Sequence, residues 1–443
     1  MSQTYPSQLE IAPLTKSVSA TVSVPGSKSI TNRALVLAAL ASYDTNCTLT
    51  GALQSEDTEV MVEGLNRLGY SVQANWPRVV VDYVGKTLVP NTSADIFVAN
   101  SGTTMRFLTA LCAAGKGRYR LDGIPRMRER PIEDLLSALR ECGVRAESET
   151  ANGCPPVVIE SNGLSSAGAS IKAGTSSQFL SALLMVAPYF NRTATSTFRI
   201  TIDGPLVSEP YVRMTEAMMA AWGISWEFDD GARSYTFDAH SAPQHETSEY
   251  IIEPDASAAS YFWAAAAITG GRVTVRGLNR TSLQGDVRFV EVLQQMGCRV
   301  EECDEGTTVH GGPLRGVDVD MNDISDTVMT LGAVALFATG PTTIRNVAHI
   351  RHKETDRIAA LATELRKFGA EVEERADGLT IVPKPLTGAA IDTYNDHRMA
   401  MSLALVGLKV PGVVIRNPGC VAKTYPGFWQ DLAALRALGE RPV

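Results

Sequence analysis

The chain has 443 residues, of which 44% are hydrophobic and 20% are charged, as is typical of a folded protein with a large core and more than one domain. Its 40 basic and 48 acidic residues give a net charge of −8, which argues against a surface that binds nucleic acid. Any anion-binding site must therefore be a local concentration of Lys and Arg.

Membrane and secretion signals are not recognisable in the sequence. No apolar run reaches the roughly 18 residues needed to span a bilayer, and the first residues lack the basic and then apolar pattern of a signal peptide. The seven cysteines form no Cys-x-x-Cys pair, so we expect neither a disulfide framework nor a structural zinc site. These features predict a protein of the reducing cytoplasm.

Six amphipathic helices are predicted along the chain, and each closes on a glycine that can adopt the left-handed conformation ending a helix. These glycines are Gly69, Gly143, Gly223, Gly297, Gly369 and Gly439. Their successive separations, by difference of position, are 74, 80, 74, 72 and 70 residues. Such a regular period indicates a repeated architecture.

A second, small and strongly apolar helix precedes each amphipathic helix. The six segments are RALVLAALA, MRFLTALCAA, FLSALLMVAP, YFWAAAAITG, VMTLGAVALFATG and RMAMSLALVGL. Each is followed by a β-branched stretch, such as residues 272–278 or 342–347. The predicted unit is strand, buried helix, strand, amphipathic helix, strand, and the leading strand of the first unit is expected near residues 16–24. The sequence thus predicts a repeated α/β fold, with its six units in two groups of three and a polar break near residues 240–252.

Polar residues gather where the predicted helices begin. Ser, Thr, Asp and Asn there are typical helix caps, and capping is our interpretation of the starts that carry only these residues or Glu. Capping does not explain cations, which the helix dipole disfavours at an N-terminus. Six cations lie at or just inside these starts: Lys28, Arg106, Arg130, Lys353, Arg398 and Lys423. A bound phosphate or carboxylate would resolve the conflict.

Two alternative sites are weighed against this anion site. Residues 26–29, Gly-Ser-Lys-Ser, suggest a phosphate loop, but Ser27 and Val22 occupy the positions where that motif requires glycine. His349 and His352 lie near Glu354 and Asp356, yet no established metal-ligand spacing connects them. We therefore expect neither a metal ion nor a nucleotide cofactor.

The helix starts resemble the 5-enolpyruvylshikimate-3-phosphate synthase family in chain order. The matching segments are residues 25–41, 100–111, 125–136, 176–188, 208–215, 353–374, 395–408 and 420–429. The resemblance implies an α/β fold of two similar domains, each of three βαβαβ-type repeats, with helix N-termini converging on the cleft between them. It also implies that residues 1–25 join 253–443 in one domain and that residues 26–252 form the other.

The resemblance implies transfer of the enolpyruvyl group of phosphoenolpyruvate to the 5-hydroxyl of shikimate 3-phosphate, with release of phosphate and without a cofactor. The implied contacts of shikimate 3-phosphate are Lys28, Ser29, Arg33, Ser176, Ser177, Gln178, Ser208, Asp326 and Lys353. Those of phosphoenolpyruvate are Lys28, Gly102, Arg130, Gln178, Arg357, Arg398 and Lys423. Asp326 would be the general base and Glu354 the general acid, and Lys28 would balance developing charge.

Two positions depart from the family pattern. His349 replaces an Asn of many relatives, and Phe107 replaces a Pro, with a shift of Gly102 as its expected effect. Since Gly102 is retained, we expect glyphosate to compete with phosphoenolpyruvate. Two other functions stay open: a UDP-N-acetylglucosamine enolpyruvyl transferase, disfavoured because residues 121–135 lack a cysteine, and a non-catalytic anion-binding relative. We expect a monomer.

Overall fold

The computed structural model describes residues 4–42, 45–82, 84, 85, 87–190, 196–238 and 247–439. The chain divides into two compact units. We call residues 26–252 the continuous unit, and residues 1–25 together with 253–443 the split unit.

The first two strands of the chain belong to the split unit, and three repeats of the continuous unit follow. The two strands are β1 (Gln8–Ile11) and β2 (Ser19–Val22). Repeat one has α1 (Lys28–Ala41), β3 (Cys47–Thr50), α2 (Glu56–Arg67), β4 (Ser71–Asn75) and β5 (Arg78–Asp82). Repeat two has β6 (Ser93–Phe97), α3 (Gly102–Ala114), β7 (Lys116–Asp122), α4 (Glu133–Glu141), β8 (Arg145–Ser148) and β9 (Val157–Asn162). Repeat three has β10 (Gly168–Ala173), α5 (Ser177–Val186), β11 (Thr197–Leu206), α6 (Pro210–Ala221), β12 (Glu227–Asp229), β13 (Ser234–Asp238) and, after a connection, β14 (Glu249–Ile251).

The split unit continues with three further repeats. Repeat four has α7 (Ala256–Thr269), β15 (Arg272–Arg276), α8 (Phe289–Gln295), β16 (Arg299–Cys303) and β17 (Gly306–His310). Repeat five has β18 (Asp318–Asp320), α9 (Val328–Ala335), β19 (Thr342–Arg345), α10 (Arg357–Lys367), β20 (Glu371–Arg375) and β21 (Gly378–Val382). Repeat six has β22 (Ala390–Ile391), α11 (His397–Ala404), β23 (Val413–Arg416) and α12 (Phe428–Gly439).

Each of the first five repeats has a four-stranded sheet, one strand more than the sequence pattern predicted. In repeat two the strand order is β6-β7-β9-β8, with β6 parallel to β7 and the other two pairs antiparallel. The extra strand arises because the stretch after each amphipathic helix folds back as a hairpin. In repeat six, the described residues form the order β1-β23-β22.

The expectation that residues 16–24 lead the first repeat is wrong. β2 lies parallel to β15 and therefore completes the sheet of repeat four. The leading position in repeat one is taken by β14, which lies parallel to β3. Alternating apolar residues mark a strand but not the sheet edge it joins, so the pattern alone favoured the nearest repeat. Of the predicted polar break, residues 240–246 lie outside the described residues and 249–251 form β14.

The small apolar helices form the cores of both units. Every residue of α3 is buried, as is almost every residue of α7. The glycines that follow five of the amphipathic helices have φ between 70° and 113°, as predicted for Gly69, Gly143, Gly223, Gly297 and Gly369. Gly439 is the last residue of α12. Among the described residues, no helix is long and apolar enough to cross a membrane.

Candidate active site

Three helix starts of the continuous unit are joined by polar contacts. Lys28, the first residue of α1, places Nζ 3.4 Å from Oδ2 of Asp57, near the start of α2. The carbonyl of Asp57 accepts a hydrogen bond of 3.3 Å from Thr104 on α3. Asn32 donates to Thr103 at 2.7 Å, which links α1 directly to α3. Lys28 is thus held beside the start of a neighbouring helix.

Gly102 lies between two buried guanidinium groups. A Cβ at this position would lie 2.5 Å from Nη1 of Arg106 and 2.6 Å from Nη2 of Arg130. Arg130 donates from Nη1 to the carbonyl of Asn100 at 3.0 Å, and Arg106 donates to Oε1 of Gln178 at 2.8 Å. The absence of a side chain at Gly102 therefore lets two cations approach the N-terminus of α3, where a helix end and positive charge together would suit an anion.

Of the four serines predicted to contact a ligand, Ser29 lies on α1 and the other three lie at the starts of α5 and α6. Ser176 caps α5 by accepting a hydrogen bond from the amide of Gln178 at 3.3 Å, and Ser177 is the buried first residue of the helix. Ser208, which precedes α6, is buried and has φ of +50°. A non-glycine residue in this region is strained and is often found at functional sites.

Arg33 is buried inside the continuous unit, only 1% exposed. It donates to Oγ1 of Thr215 at 2.7 Å and to the carbonyl of Ser29 at 3.0 Å. It also donates to the carbonyl of Tyr211 at 3.1 Å and to Ser181 at 3.3 Å. Four of the five N–H groups of the Arg33 guanidinium are thereby hydrogen-bonded to protein oxygens. Burial lowers the pKa of Arg33 to about 10, and the group holds α1 against α5 and α6.

Phe107 packs against this same guanidinium. Its buried ring lies 5.2 Å from Cζ of Arg33, a distance typical of a cation–π contact. The expected effect of Phe107 on Gly102 is not tested by this contact and stays a prediction.

Asp326 forms ion pairs with three cations of the split unit. Oδ1 contacts Nζ of Lys353 and lies 3.2 Å from Nη1 of Arg357, and Oδ2 lies 2.7 Å from Nη2 of Arg398. The side chain is 13% exposed. Burial alone would raise the pKa of Asp326, but the positive charges of Arg398, Lys353 and Arg357 outweigh it and hold that pKa well below its usual range.

Arg357 connects the two candidate proton-transfer groups. Its Nη1 donates a hydrogen bond to Oδ1 of Asp326, and its Nη2 lies 2.8 Å from Oε2 of Glu354. Lys423 places Nζ 3.9 Å from Oε1 of the same Glu354. Residues predicted from four separate segments of the sequence therefore meet in one buried network.

Acidic residues near this network were not singled out by the sequence beyond their places at helix starts. Asp396 accepts a hydrogen bond from Nε of Arg357 at 2.7 Å and caps α11 through the amide of Arg398. Asp286 accepts a hydrogen bond from the hydroxyl of Ser257. Burial, together with the negative charge of Asp326, raises the pKa of Asp286 to about 6. An Asp at a helix start is usually a simple cap, so the sequence did not indicate the contact of Asp396 with Arg357 or the burial of Asp286.

His349 is buried near these groups. Burial and the positive charge of Lys353 lower its pKa to about 3, so the imidazole is neutral near pH 7. Within the described part of the chain, no three His, Cys, Asp or Glu side chains lie together as a metal ion would require.

Comparison with known proteins finds relatives over almost the whole chain. The profile of the family described as EPSP synthase (3-phosphoshikimate 1-carboxyvinyltransferase) matches residues 14–432. The 3-phosphoshikimate 1-carboxyvinyltransferase of Nostoc punctiforme is 48% identical over 424 residues, covering 95% of this chain and 97% of the relative. That of Trichormus variabilis is 49% identical over 423 residues, with the same coverage. A solved structure of EPSP synthase from Acinetobacter baumannii superposes with a TM-score of 0.78 at 25% identity, covering 96% of this chain and 97% of the other.

Proposed function

The chain belongs to the EPSP synthase family, and from this premise we infer that it transfers the enolpyruvyl group of phosphoenolpyruvate to the 5-hydroxyl of shikimate 3-phosphate and releases phosphate. The observation that best supports this reaction in the structure is the sharing of Arg357 by Asp326 and Glu354. Two carboxylates set among cations suit a reaction that moves protons between anionic substrates. The UDP-N-acetylglucosamine reaction is not favoured.

We propose that the helix starts of both units supply the substrate contacts. Shikimate 3-phosphate would be bound by Lys28, Ser29, Arg33, Ser176, Ser177, Gln178, Ser208, Asp326 and Lys353. Phosphoenolpyruvate would be bound by Lys28, Gly102, Arg130, Gln178, Arg357, Arg398 and Lys423. Support comes from the N-terminus of α3, which lies beside Arg106 and Arg130, and from the cations around Glu354. The share of Arg33 in this set would be small, because most of its donors already serve protein oxygens.

In the proposed mechanism Asp326 takes the proton of the 5-hydroxyl while Glu354 protonates the methylene carbon of phosphoenolpyruvate. The hydroxyl oxygen bonds to the central carbon and gives a tetrahedral intermediate. Glu354 then takes a proton back from the new methyl group, the carbon–oxygen bond to phosphate breaks and the enolpyruvyl double bond is restored, and the proton on Asp326 passes to the departing phosphate. Lys28 would offset the charge that develops between the two substrates.

Substrate binding would also set the basicity of Asp326. Three cations hold its pKa far too low for an effective base. Phosphate and carboxylate groups of the substrates compete for Lys353, Arg357 and Arg398, so their binding would weaken the ion pairs and raise that pKa. Asp326 would become a base only when both anions are in place.

We also make proposals about inhibition, location and assembly. Glyphosate would compete with phosphoenolpyruvate, with an inhibition constant tighter than millimolar. A millimolar or weaker constant would contradict this proposal and point to Phe107. We propose a monomer in the cytoplasm.

The decisive measurement is phosphate release from phosphoenolpyruvate and shikimate 3-phosphate, without added metal or nucleotide. The wild type is compared with Asp326→Ala and Glu354→Ala, and with Asp318→Ala as a control whose carboxylate pairs with Arg345 at the surface of the same repeat. We expect turnover by the wild type and the control, and losses of about 10²-fold or more in the other two variants. Tight binding of shikimate 3-phosphate without turnover would identify a non-catalytic relative. Turnover with UDP-N-acetylglucosamine instead would identify the other transferase.

A further inference from the structure

Two consecutive strained residues precede the N-terminus of α11. Tyr394 has φ of +52° and Asn395 has φ of +55°. Non-glycine residues adopt this conformation at a cost, and they keep it only where the surrounding contacts fix it. The next residue is Asp396, which holds Arg357 and caps the helix that carries Arg398. The strain therefore lies directly beside the proposed phosphoenolpyruvate contacts.

A buried carboxylate fixes this strained segment. Glu364 on α10 has a side chain that is 0% exposed. It accepts hydrogen bonds from the hydroxyl of Tyr394 at 2.7 Å and from the amide of Asp392 at 3.0 Å. Nζ of Lys367 lies 2.7 Å from Oε2 of Glu364 and balances the charge of this carboxylate. A buried carboxylate is costly unless it is paired and hydrogen-bonded in this way.

Two side chains of one helix, Glu364 and Arg357, hold the segment. α10 begins at Arg357, and Glu364 follows seven residues later, which is about two turns along the same face. Glu364 holds residues 392 and 394, and Arg357 holds Asp396. The loop 392–396 is thus attached to a single rigid element at two points.

The far side of the loop is linked to the segment that carries Lys423. Oδ1 of Asn395 accepts a hydrogen bond of 3.2 Å from Nδ2 of Asn417. Asn417 also has positive φ, +50°, and it directly precedes the short helical turn of residues 418–423. Displacement of the 392–396 loop would therefore shift Lys423 as well as Arg398.

We propose that Glu364 and Tyr394 are a positioning pair, which fixes the loop 392–396 and thereby sets Arg357, Arg398 and Lys423 for an anionic ligand. Neither residue needs to touch the substrate, because both act through Asp396 and its neighbours. The identification of that ligand as phosphoenolpyruvate rests on the proposed function.

Tyr394→Phe tests the pair more cleanly than a change at Glu364, since Glu364→Ala would leave buried donors unpaired and endanger folding. The matched control is Tyr235→Phe, which removes a tyrosine hydroxyl bonded to Glu216 in the continuous unit. For Tyr394→Phe we expect the KM for phosphoenolpyruvate to rise about fivefold, because only part of the free energy of the lost hydrogen bond would appear as weaker anion binding. The kcat and the KM for shikimate 3-phosphate should stay within about twofold. Tyr235→Phe should leave all three constants within about twofold.

An unchanged KM for phosphoenolpyruvate in Tyr394→Phe, or an equal rise in both variants, would overturn the positioning role. The same preparations are titrated calorimetrically with phosphoenolpyruvate and with inorganic phosphate. If the wild type shows no turnover, the proposed function fails, and the binding data still decide the inference. Weaker binding of either anion by Tyr394→Phe alone supports it. Equal binding by both variants, or no binding to the wild type, overturns it.

Discussion

Arg357 and Asp396 form an ion pair that is sealed from solvent, with Nε 2.7 Å from Oδ2 and side chains 1% and 0% exposed. Burial of Arg357 opposes its charge, but the carboxylates of Asp396, Glu354 and Asp326 reverse this effect and raise its pKa above the usual value. The guanidinium is therefore permanently charged and held by three acids. It organises the split-unit part of the candidate site before any ligand arrives.

Asp396→Ala should destabilise the protein strongly. The change leaves the buried charge of Arg357 short of its nearest partner and removes the cap of α11, so we expect a loss of about 3–5 kcal/mol in the free energy of unfolding. Urea unfolding of the variant measures this loss. Asp318→Ala is the control, because its carboxylate is 64% exposed and a pair with Arg345 at the surface should contribute little to stability. Equal losses in the two variants would show that the Arg357–Asp396 pair contributes little.

Gly102→Ala should impair binding of phosphoenolpyruvate without unfolding the protein. The new methyl group would displace the ends of the Arg106 and Arg130 side chains, which are flexible and can move. We expect the KM for phosphoenolpyruvate to rise about tenfold or more, since a pair of charge-assisted contacts is disturbed. Initial-rate kinetics at saturating shikimate 3-phosphate measure this. Gly231→Ala, in an exposed turn, should leave the KM unchanged, and an unchanged KM in Gly102→Ala would contradict the proposed site.

Asp286 should make the protein less stable as the pH rises. Its pKa of about 6 in the folded state exceeds the value of about 3.9 expected when it is unfolded. The folded state therefore binds the proton more tightly, and the free energy of unfolding falls as pH rises from about 4 to about 6. Asp286→Asn should remove about 1–3 kcal/mol of this fall. Denaturant titrations at pH 4.5 and pH 7.5 test it, and an equal fall in wild type and variant would assign the effect elsewhere.

Arg33→Ala should separate a scaffolding role from ligand binding. Removal of three hydrogen bonds from α1 to α5 and α6, and of a fourth within α1, should lower the free energy of unfolding by about 2–4 kcal/mol. We expect the KM for shikimate 3-phosphate to change less than about threefold at a temperature where the variant is folded. Arg118→Ala, at an exposed side chain, controls for the loss of charge. A rise in KM above tenfold without loss of stability would show that the share of Arg33 in ligand binding is large.

The repeat could be predicted from the sequence because its signals are local. A glycine that ends a helix needs only the conformation of its own backbone, and five of the predicted glycines have it. The sheet edges depend on distant pairing, so the partners of β2 and β14 were not predictable in this way. The hairpin after each amphipathic helix was read as one strand for the same reason.

The candidate site was predicted as a set of cations, whereas its acids were less visible. Lys or Arg at a helix start conflicts with the dipole and therefore attracts notice, but Asp at the same place satisfies it. The partner of Asp396 is 39 residues away along the chain, and no spacing rule reveals it. The burial of Arg33 depends in the same way on Ser181 and Thr215, which lie on two other helices.

The placement of β14 brings the two ends of the continuous unit together, so that this unit has the form of a domain inserted into the split unit. Because β14 returns to the sheet of repeat one, the unit ends where it begins: a Cβ on Gly26 would lie 3.3 Å from Cγ2 of Ile252. In the split unit the two severed ends also meet, since the carbonyl of Pro25 accepts a hydrogen bond of 2.8 Å from the amide of Asp255. Adjacent termini are the geometry that permits domain insertion and circular permutation. Joining residue 25 to residue 253 would therefore close the split unit as one continuous chain.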